Sequence, residues 1–215
     1  IPFILFFISF IVCKKLSKIS MKLFSFKRRL IRPLLSLVKM NTGLSCVTFH
    51  NILKNEYGWF ESVIELINRN YVCSTIEDLD YDMPDNSKAK ILITFDDGFF
   101  SNIILADKVL SKYGMRAIFF VAEGFIGLGE EESLKFAKDN LYPNSILSND
   151  QQSECQSMSW DDVGWLVDQG HTIGAHTRTH PKLSSLTEKE CYDEIIKSAD
   201  QLEKRIDQKK YEIGR

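Results

Sequence analysis

Two neighbouring carboxylates follow a run of apolar, β-favouring residues in the middle of the chain. The stretch "ILITFDDG" places Asp96 and Asp97 at the end of a predicted buried strand, and Gly98 permits the turn that follows. Two like charges this close repel each other, and the repulsion raises the pKa of a carboxylate unless a cation lies beside it. The pair therefore predicts a bound metal ion.

Two histidines four residues apart supply the side chains that complete such a site. His176 and His180 in "HTRTH" follow another predicted strand, where a single turn places both imidazoles on one face and Pro181 stops a longer helix. One carboxylate and two imidazoles around an open position form a known site for catalytic zinc and other divalent transition metals. A metallopeptidase is disfavoured, because "HTRTH" lacks the glutamate of H-E-x-x-H.

Strands and helices alternate from Leu44 onward, and this order determines where the two motifs lie. Predicted strands cover residues 44–50, 90–96, 116–122 and 171–177, and predicted helices cover residues 59–70, 102–114, 159–170 and 185–206. The alternation predicts an α/β fold with a parallel sheet, as an open layer or an α/β barrel. In both architectures ligands bind at the C-terminal ends of the strands, where both motifs are expected.

Other polar positions in this pattern are assigned local roles. Ser159 is the expected N-cap of its helix, and Thr187 and Glu190 have the spacing of a capping box. His171 has no partner at a useful spacing and marks the start of the last predicted strand. Residues 128–156 form a polar insertion that either shapes substrate access or is simply tolerated.

The two motifs together resemble those of a known enzyme family. "TFDDG" followed by "HTRTH" is similar to the first two signature motifs of the polysaccharide deacetylases, carbohydrate esterase family 4, in particular the chitooligosaccharide deacetylase-like members. The resemblance runs from about Leu44 to the C-terminus. It implies an α/β fold of the deacetylase type, an irregular (β/α) barrel that is incomplete in this chain. It also implies a metal-dependent hydrolase that removes N-acetyl groups from an aminosugar polysaccharide of the cell surface or envelope.

The resemblance implies a role for each motif residue. Asp96 corresponds to the general base. Asp97, His176 and His180 correspond to the ligands of a divalent metal, with zinc expected first and cobalt or nickel as alternatives. In this chemistry the metal lowers the pKa of a bound water from about 16 towards about 7, and the base takes the proton.

The general acid is the role that the two motifs leave open. Family members generally carry three further motifs after the histidine pair: an Arg/Pro motif, an aromatic motif and a late histidine that serves as the general acid. This chain reaches Arg215 before any of them. We therefore expect a chain truncated at the C-terminus that holds the first half of the site. In some biofilm-polysaccharide deacetylases with a permuted motif order, an N-terminal histidine serves as the acid. His50, at the end of the first predicted strand, is either that acid or a structural histidine near the rim.

Two other functions stay open beside N-deacetylation. An O-acetyl carbohydrate esterase would use the same metal site on a different scissile bond, and a catalytically silent carbohydrate-binding or metal-binding fragment would account for the absent later motifs. The expected partner is an acetylated aminosugar polymer or oligomer. Nucleic acid is disfavoured, because the chain has no basic stripe with interleaved aromatic residues. The five cysteines form no C-x-x-C pair and indicate neither a zinc ribbon nor a disulfide framework.

Charge is distributed unevenly and separates a short N-terminal segment from the main domain. Residues 1–55 contain ten Lys or Arg and no acid, whereas the remainder carries a net charge of −12. Residues 1–13 are expected to be the tail of a membrane or signal segment, or translated sequence upstream of a start at Met21. From Met21 onward the spacing predicts an amphipathic helix, either on an anionic membrane surface or packed on its own domain.

These features divide the chain into two regions. Residues 1–43 form a basic, hydrophobic and amphipathic segment, and residues 44–215 form the N-terminal part of a polysaccharide deacetylase-like catalytic domain. The sequence is compatible with a membrane-associated, cell-envelope or cytoplasmic location.

Overall fold

The computed structural model describes residues 44–76 and 88–213, with side chains as far as residue 207. The amphipathic helix predicted from Met21 lies outside the described residues. Within them, no helix is both long enough and apolar enough to cross a membrane.

A parallel sheet forms the centre of the described part of the chain. Its five strands there are β1 (Leu44–Phe49), β2 (Val72–Cys73), β3 (Lys90–Asp97), β4 (Ile118–Val121) and β5 (Thr172–Ala175). They run in the order β1–β3–β4–β5, and β2 pairs in parallel with the first residues of β3. The predicted α/β fold is confirmed. Since β1 and β5 do not pair within the described residues, the sheet is not closed into a barrel there, in agreement with an incomplete barrel.

Helices connect the strands close to the positions that the sequence predicts. They are α1 (Tyr57–Asn70), α2 (Phe100–Leu105), α3 (Glu130–Phe136), α4 (Asn149–Ser153), α5 (Trp160–Asp168), α6 (Glu188–Tyr192) and α7 (Ser198–Ile213). Short π-helical segments extend α2 and α3, and a third, Asp193–Lys197, joins α6 to α7. The predicted caps are confirmed, because the Ser159 hydroxyl accepts from the Asp162 N–H and the Thr187 hydroxyl from the Glu190 N–H.

Strand register brings aromatic side chains together on one face of the sheet. Phe49 pairs with Phe95, and Phe95 pairs with Phe119 on the next strand. The rings of Phe95 and Phe119 stack with their centroids 4.9 Å apart. The ring of Phe60 in α1 packs edge-on against that of Phe49, also with a centroid distance of 4.9 Å. Because side chains alternate along a strand, Asp96 extends from the opposite face to this aromatic core.

The stretch read as a polar insertion is a folded part of the domain. This stretch, residues 128–156, is called the cap segment below and contains α3 and α4. It buries Leu147 and Cys155 in an apolar cluster with Phe99 and Phe125, which follow β3 and β4. The sequence does not indicate this packing, because the apolar residues lie in α3 and in the segments that flank α4, separated by many charged and polar residues. The cap segment is therefore fixed against the ends of the strands that carry the motifs.

Candidate active site

The three predicted metal ligands lie together at the C-terminal end of the sheet. Asp97 Oδ1 lies 3.7 Å from His176 Nε2 and 3.9 Å from His180 Nε2. One ligand atom from each residue lies within 4.8 Å of the other two. The structure thus brings together side chains from two motifs that are far apart in sequence.

Strand register explains this convergence. Asp97 pairs with Val121 on β4, and Val121 pairs with Ala175 on β5, so that His176 is the first residue beyond the level of Asp97. The His176 N–H donates to the Val121 carbonyl at 2.9 Å and extends the ladder by one bond. The two motifs therefore end at the same height on the sheet, as expected for parallel strands.

The same register places His50 next to Asp96. Phe49 pairs with Phe95, and the following residues on the two strands are His50 and Asp96. His50 Nε2 lies 3.7 Å from Asp96 Oδ2, and the His50 side chain is 43% exposed whereas that of Asp96 is 6% exposed. The candidate acid and the candidate base are thus neighbours, with the histidine on the open side.

Left-handed backbone at the end of β3 sets the direction of the Asp97 side chain. Asp97 has φ 76° and Gly98 has φ 100°. Aspartate tolerates this region better than most residues do. Residues with a side chain rarely adopt the φ of Gly98, and a Cβ there would also lie 2.5 Å from Ile126 Cδ1, so that glycine is strongly favoured. The turn predicted at Gly98 is confirmed.

The loop between the two histidines is not a regular helical turn. Thr177 has φ 65° and His180 has φ 56°, both left-handed, and the Thr177 hydroxyl accepts from the His180 N–H at 3.0 Å. The imidazole centroids are 4.9 Å apart. The prediction that the rings lie together is therefore correct, although the backbone achieves it through an irregular loop.

Burial controls the ionisation of these groups. Burial raises the pKa of Asp97 to about 7, and burial with the neighbouring charge of Asp97 raises the pKa of Asp96 to about 8. Burial, followed by the charges of His180 and His50, lowers the pKa of His176 to about 3. His176 is therefore neutral at pH 7 and has a lone pair free to bind a metal. A divalent cation beside the carboxylates would lower their pKa values again.

The donor set fits a divalent metal ion. Asp97 Oδ1 is buried and has no hydrogen-bond partner among the described residues, an arrangement that costs about 1–3 kcal/mol unless something else binds the oxygen. Two ligands each about 2.1 Å from one ion lie at most about 4.2 Å apart. The distances of 3.7 Å and 3.9 Å from Asp97 to the two imidazoles lie within this limit.

The cap segment contributes contacts that the sequence does not reveal. His180 Nδ1 lies 3.3 Å from the Asn140 carbonyl oxygen, so that an Nδ1–H donor there leaves Nε2 free to face Asp97. Burial, and next the charge of Asp97, raise the pKa of Tyr142. Neither residue belongs to a recognisable motif, and Asn140 acts through its main chain, which every residue possesses.

The loop that carries His50 is also attached to the cap segment. The Asn51 amide donates to the Glu154 carbonyl at 3.0 Å and accepts from the Ser101 hydroxyl at 2.9 Å. The Lys54 N–H donates to the Glu154 carboxylate at 2.7 Å. A cavity of about 170 Å³ lies between this loop and the cap segment; its lining residues are Asn51, Leu53, Glu56, Tyr142, Gln151 and Cys155.

His171, which was given a local role from sequence, lies away from the site. It is 7% exposed, and its Nδ1 accepts from the Ala117 N–H at 3.1 Å at the start of β5. The prediction that His171 marks the start of this strand is confirmed.

Sequence comparison identifies the family. A sequence model described as polysaccharide deacetylase matches residues 84–213, which include both motifs. The chain belongs to the polysaccharide deacetylase family. The chain is also 28% identical over 115 residues to a peptidoglycan-N-acetylglucosamine deacetylase of Bacillus cereus. That match covers 52% of this chain and 30% of the relative, so that the chain spans less than a third of the relative's length.

Solved structures of deacetylases share the fold of this chain. The Streptococcus pyogenes deacetylase PplD, solved in complex with acetate, superposes with a TM-score of 0.55 at 15% identity, over 78% of this chain and 70% of that one. A polysaccharide deacetylase from Bacillus cereus gives a TM-score of 0.55 at 20% identity, over 75% of this chain and 47% of that one. At these identities the likeness concerns the fold alone.

Proposed function

We propose that this polysaccharide deacetylase is a metal-dependent hydrolase that removes N-acetyl groups from an aminosugar polysaccharide of the cell surface or envelope. The proposal rests on the meeting of Asp97, His176 and His180 around one buried carboxylate oxygen that has no hydrogen-bond partner in the described part of the chain. Asp96 and His50 lie beside them. The Bacillus cereus relative, named for peptidoglycan N-acetylglucosamine, supports the substrate class.

In this proposal Asp97, His176 and His180 hold the metal, and zinc is the ion expected first. A divalent ion bound there would lower the pKa of a coordinated water and polarise the acetyl carbonyl. Asp96 accepts the proton of the attacking water, since it adjoins Asp97 and is 4% exposed. Burial of this kind also excludes bulk water that would compete for the base.

His50 is assigned the general acid. An amine leaves from the tetrahedral intermediate only when its nitrogen is protonated. The His50 ring lies 3.7 Å from the Asp96 carboxylate on the exposed side of the pair, where a polymer can approach. In this proposal the proton that Asp96 takes from the water passes to the leaving amine through His50, which must first approach Asp96 from 3.7 Å to hydrogen-bonding distance.

The domain assignment belongs to the same proposal. Residues 44–215 are assigned to the catalytic domain, and residues 1–43 to a separate basic segment that contacts an anionic membrane surface. An acetylated aminosugar polymer is the partner of the first region. Binding to anionic vesicles in the full chain, and its loss on deletion of residues 1–43, tests the second assignment.

Acetate release from N-acetylglucosamine oligomers tests the proposed reaction. With zinc or cobalt supplied, the wild-type chain is expected to release acetate, and Asp96→Asn to lower the rate by about 10²–10⁴-fold. Asp168→Asn removes a carboxylate from the exposed end of α5 and serves as the charge-matched control. Release unaffected by Asp96→Asn would contradict the general-base role, and an inactive, metal-loaded wild type would contradict the proposed activity.

A further inference from the structure

One carboxylate holds the loop of residues 177–179, called the ligand loop below, which joins the two histidine ligands. Glu194 lies in the helical turn between α6 and α7 and accepts three hydrogen bonds. Its Oε2 accepts from the N–H groups of Arg178 at 2.9 Å and Thr179 at 2.8 Å. Its Oε1 accepts from the Thr179 hydroxyl at 2.8 Å. These distances are typical of charge-assisted hydrogen bonds.

The loop needs external support because its backbone is strained. Thr177 and His180 both have positive φ. A residue held in a sparsely populated region costs about 1–3 kcal/mol and persists only where the surrounding structure determines it. For Thr177 the cost is expected to be high in this range, since its side chain is β-branched.

The loop is held from two sides. On one side its carbonyls accept hydrogen bonds from the residues after β4: Thr177 from the Glu123 N–H at 3.2 Å and Arg178 from the Gly124 N–H at 2.9 Å. On the other side its N–H groups donate to Glu194. Because the first contacts use main chain alone, whereas the second depend on one carboxylate, substitution of Glu194 removes the second set of contacts.

We propose that Glu194 is a positioning residue for the metal centre. It reaches the site through the peptide groups of residues 178 and 179, which lie between the two ligands. By fixing those peptides it aims the Nε2 atoms of His176 and His180 at Asp97 and sets the affinity for metal. This inference rests on the proposed function, since it requires that the three residues bind an ion.

Glu190 offers a matched control on the same helical stretch. Its carboxylate accepts from the N–H and the hydroxyl of Thr187, both at 2.7 Å, and caps α6. Glu190→Ala therefore removes the same charge and a comparable set of hydrogen bonds at an exposed position. Thr187 lies beyond the ligand loop, so this variant loses stability without altering the peptides between the histidines.

The experiment measures zinc affinity by competition with a chromophoric chelator. Glu194→Ala is expected to weaken zinc binding by about 10–100-fold, the usual effect of removing a partner that orients a ligand. Glu194→Gln is expected to cause a smaller loss, because its amide oxygen can still accept from the two N–H groups. Glu190→Ala is expected to bind zinc as the wild type does.

Two further measurements separate positioning from general destabilisation. The visible absorption spectrum of the cobalt-loaded chain is expected to change in Glu194→Ala and to stay unchanged in Glu190→Ala. Thr179→Val removes one of the three hydrogen bonds while it keeps the backbone. It is expected to weaken zinc binding less than Glu194→Ala, and it provides a test if that variant does not fold.

The outcomes distinguish the two proposals. A wild-type chain that binds no zinc would overturn both the metal site and the role of Glu194. Zinc binding by the wild type, with equal affinity and an equal cobalt spectrum in Glu194→Ala and Thr179→Val, would overturn the role of Glu194 alone.

Discussion

His50 Nε2 lies 3.7 Å from Asp96 Oδ2, because β1 and β3 pair in a register that sets the two residues side by side. The pair joins a residue outside both sequence motifs to the candidate base. In the proposed function, its position at the mouth of the sheet would give the site a second proton-transfer group on the exposed side.

The general-acid role of His50 predicts that the effect of its removal depends on the leaving group. His50→Gln is expected to lower deacetylation of N-acetylglucosamine oligomers by about 10²–10⁴-fold. It is expected to spare hydrolysis of p-nitrophenyl acetate, whose leaving group needs no proton, and to keep the zinc content of the wild type. Equal losses on both substrates would count against an acid role.

Loss of a ligand predicts loss of the metal. His176→Ala removes one of the three donors that surround the buried Asp97 oxygen, and the zinc content measured by mass spectrometry is expected to fall from about one ion per chain to near zero. His171→Gln is the control, because His171 bonds to the Ala117 N–H away from the site. An unchanged zinc content in His176→Ala would remove it from the ligand set.

The close approach of two loops predicts that position 124 accepts only glycine. A Cβ at Gly124 would lie 2.8 Å from the carbonyl oxygen of Arg178, inside the ligand loop. Gly124→Ala is therefore expected to displace the loop, to cost about 1–3 kcal/mol of stability and to weaken zinc binding.

A second glycine supplies the control for this substitution. A Cβ at Gly58, in the first turn of α1, would meet nothing within 4 Å. Gly58→Ala is expected to stabilise the chain by about 0.5–1 kcal/mol and to leave zinc affinity unchanged. Unfolding and zinc competition measured on both variants check the pair; wild-type affinity in Gly124→Ala would contradict the proposed close contact.

The buried His171 predicts a pH dependence of stability. Burial, and next the charge of Arg116, lower the pKa of His171 to about 4, against an ordinary value of 6.5 in the unfolded chain. Between these values the unfolded state binds the proton more readily, so that stability falls as the pH is lowered from about 6.5 to about 4. The difference amounts to about 3 kcal/mol when fully developed.

Comparison with His171→Gln isolates this contribution, because Asp96, Asp97 and His176 titrate in both chains. The free energy of unfolding of the wild type, measured by urea denaturation, is expected to fall more steeply with acidification than that of the variant. Parallel curves between pH 6.5 and pH 4 would show that His171 is not the group responsible.

The motif residues could be predicted from sequence because their types and order carry the information. A carboxylate pair after an apolar strand and two histidines after another must meet if the strands are parallel, and register confirms that they do. The helix caps at Ser159 and Thr187 could also be predicted from the sequence, since capping depends on residues three positions apart.

The contacts that hold the loop depend on tertiary structure and left no local signal. Asn140 acts through its carbonyl oxygen, and Glu194 resembles any acid on an amphipathic helix. The left-handed backbone of Thr177 contradicts the preference of β-branched residues for negative φ, and His180 is left-handed as well. A prediction from local backbone preferences therefore gives an ordinary turn here. Such conformations follow from contacts between distant segments, which the spacing of residues does not encode.

In the proposed function, a metal held by Asp97, His176 and His180 would promote the hydrolysis of an acetamide. The most direct test measures acetate release from N-acetylglucosamine oligomers before chelation, after removal of metal with dipicolinate, and after zinc is restored. Acetate release is expected to be lost on chelation and recovered with zinc. Release that continues unchanged in the metal-free chain would contradict the proposed function.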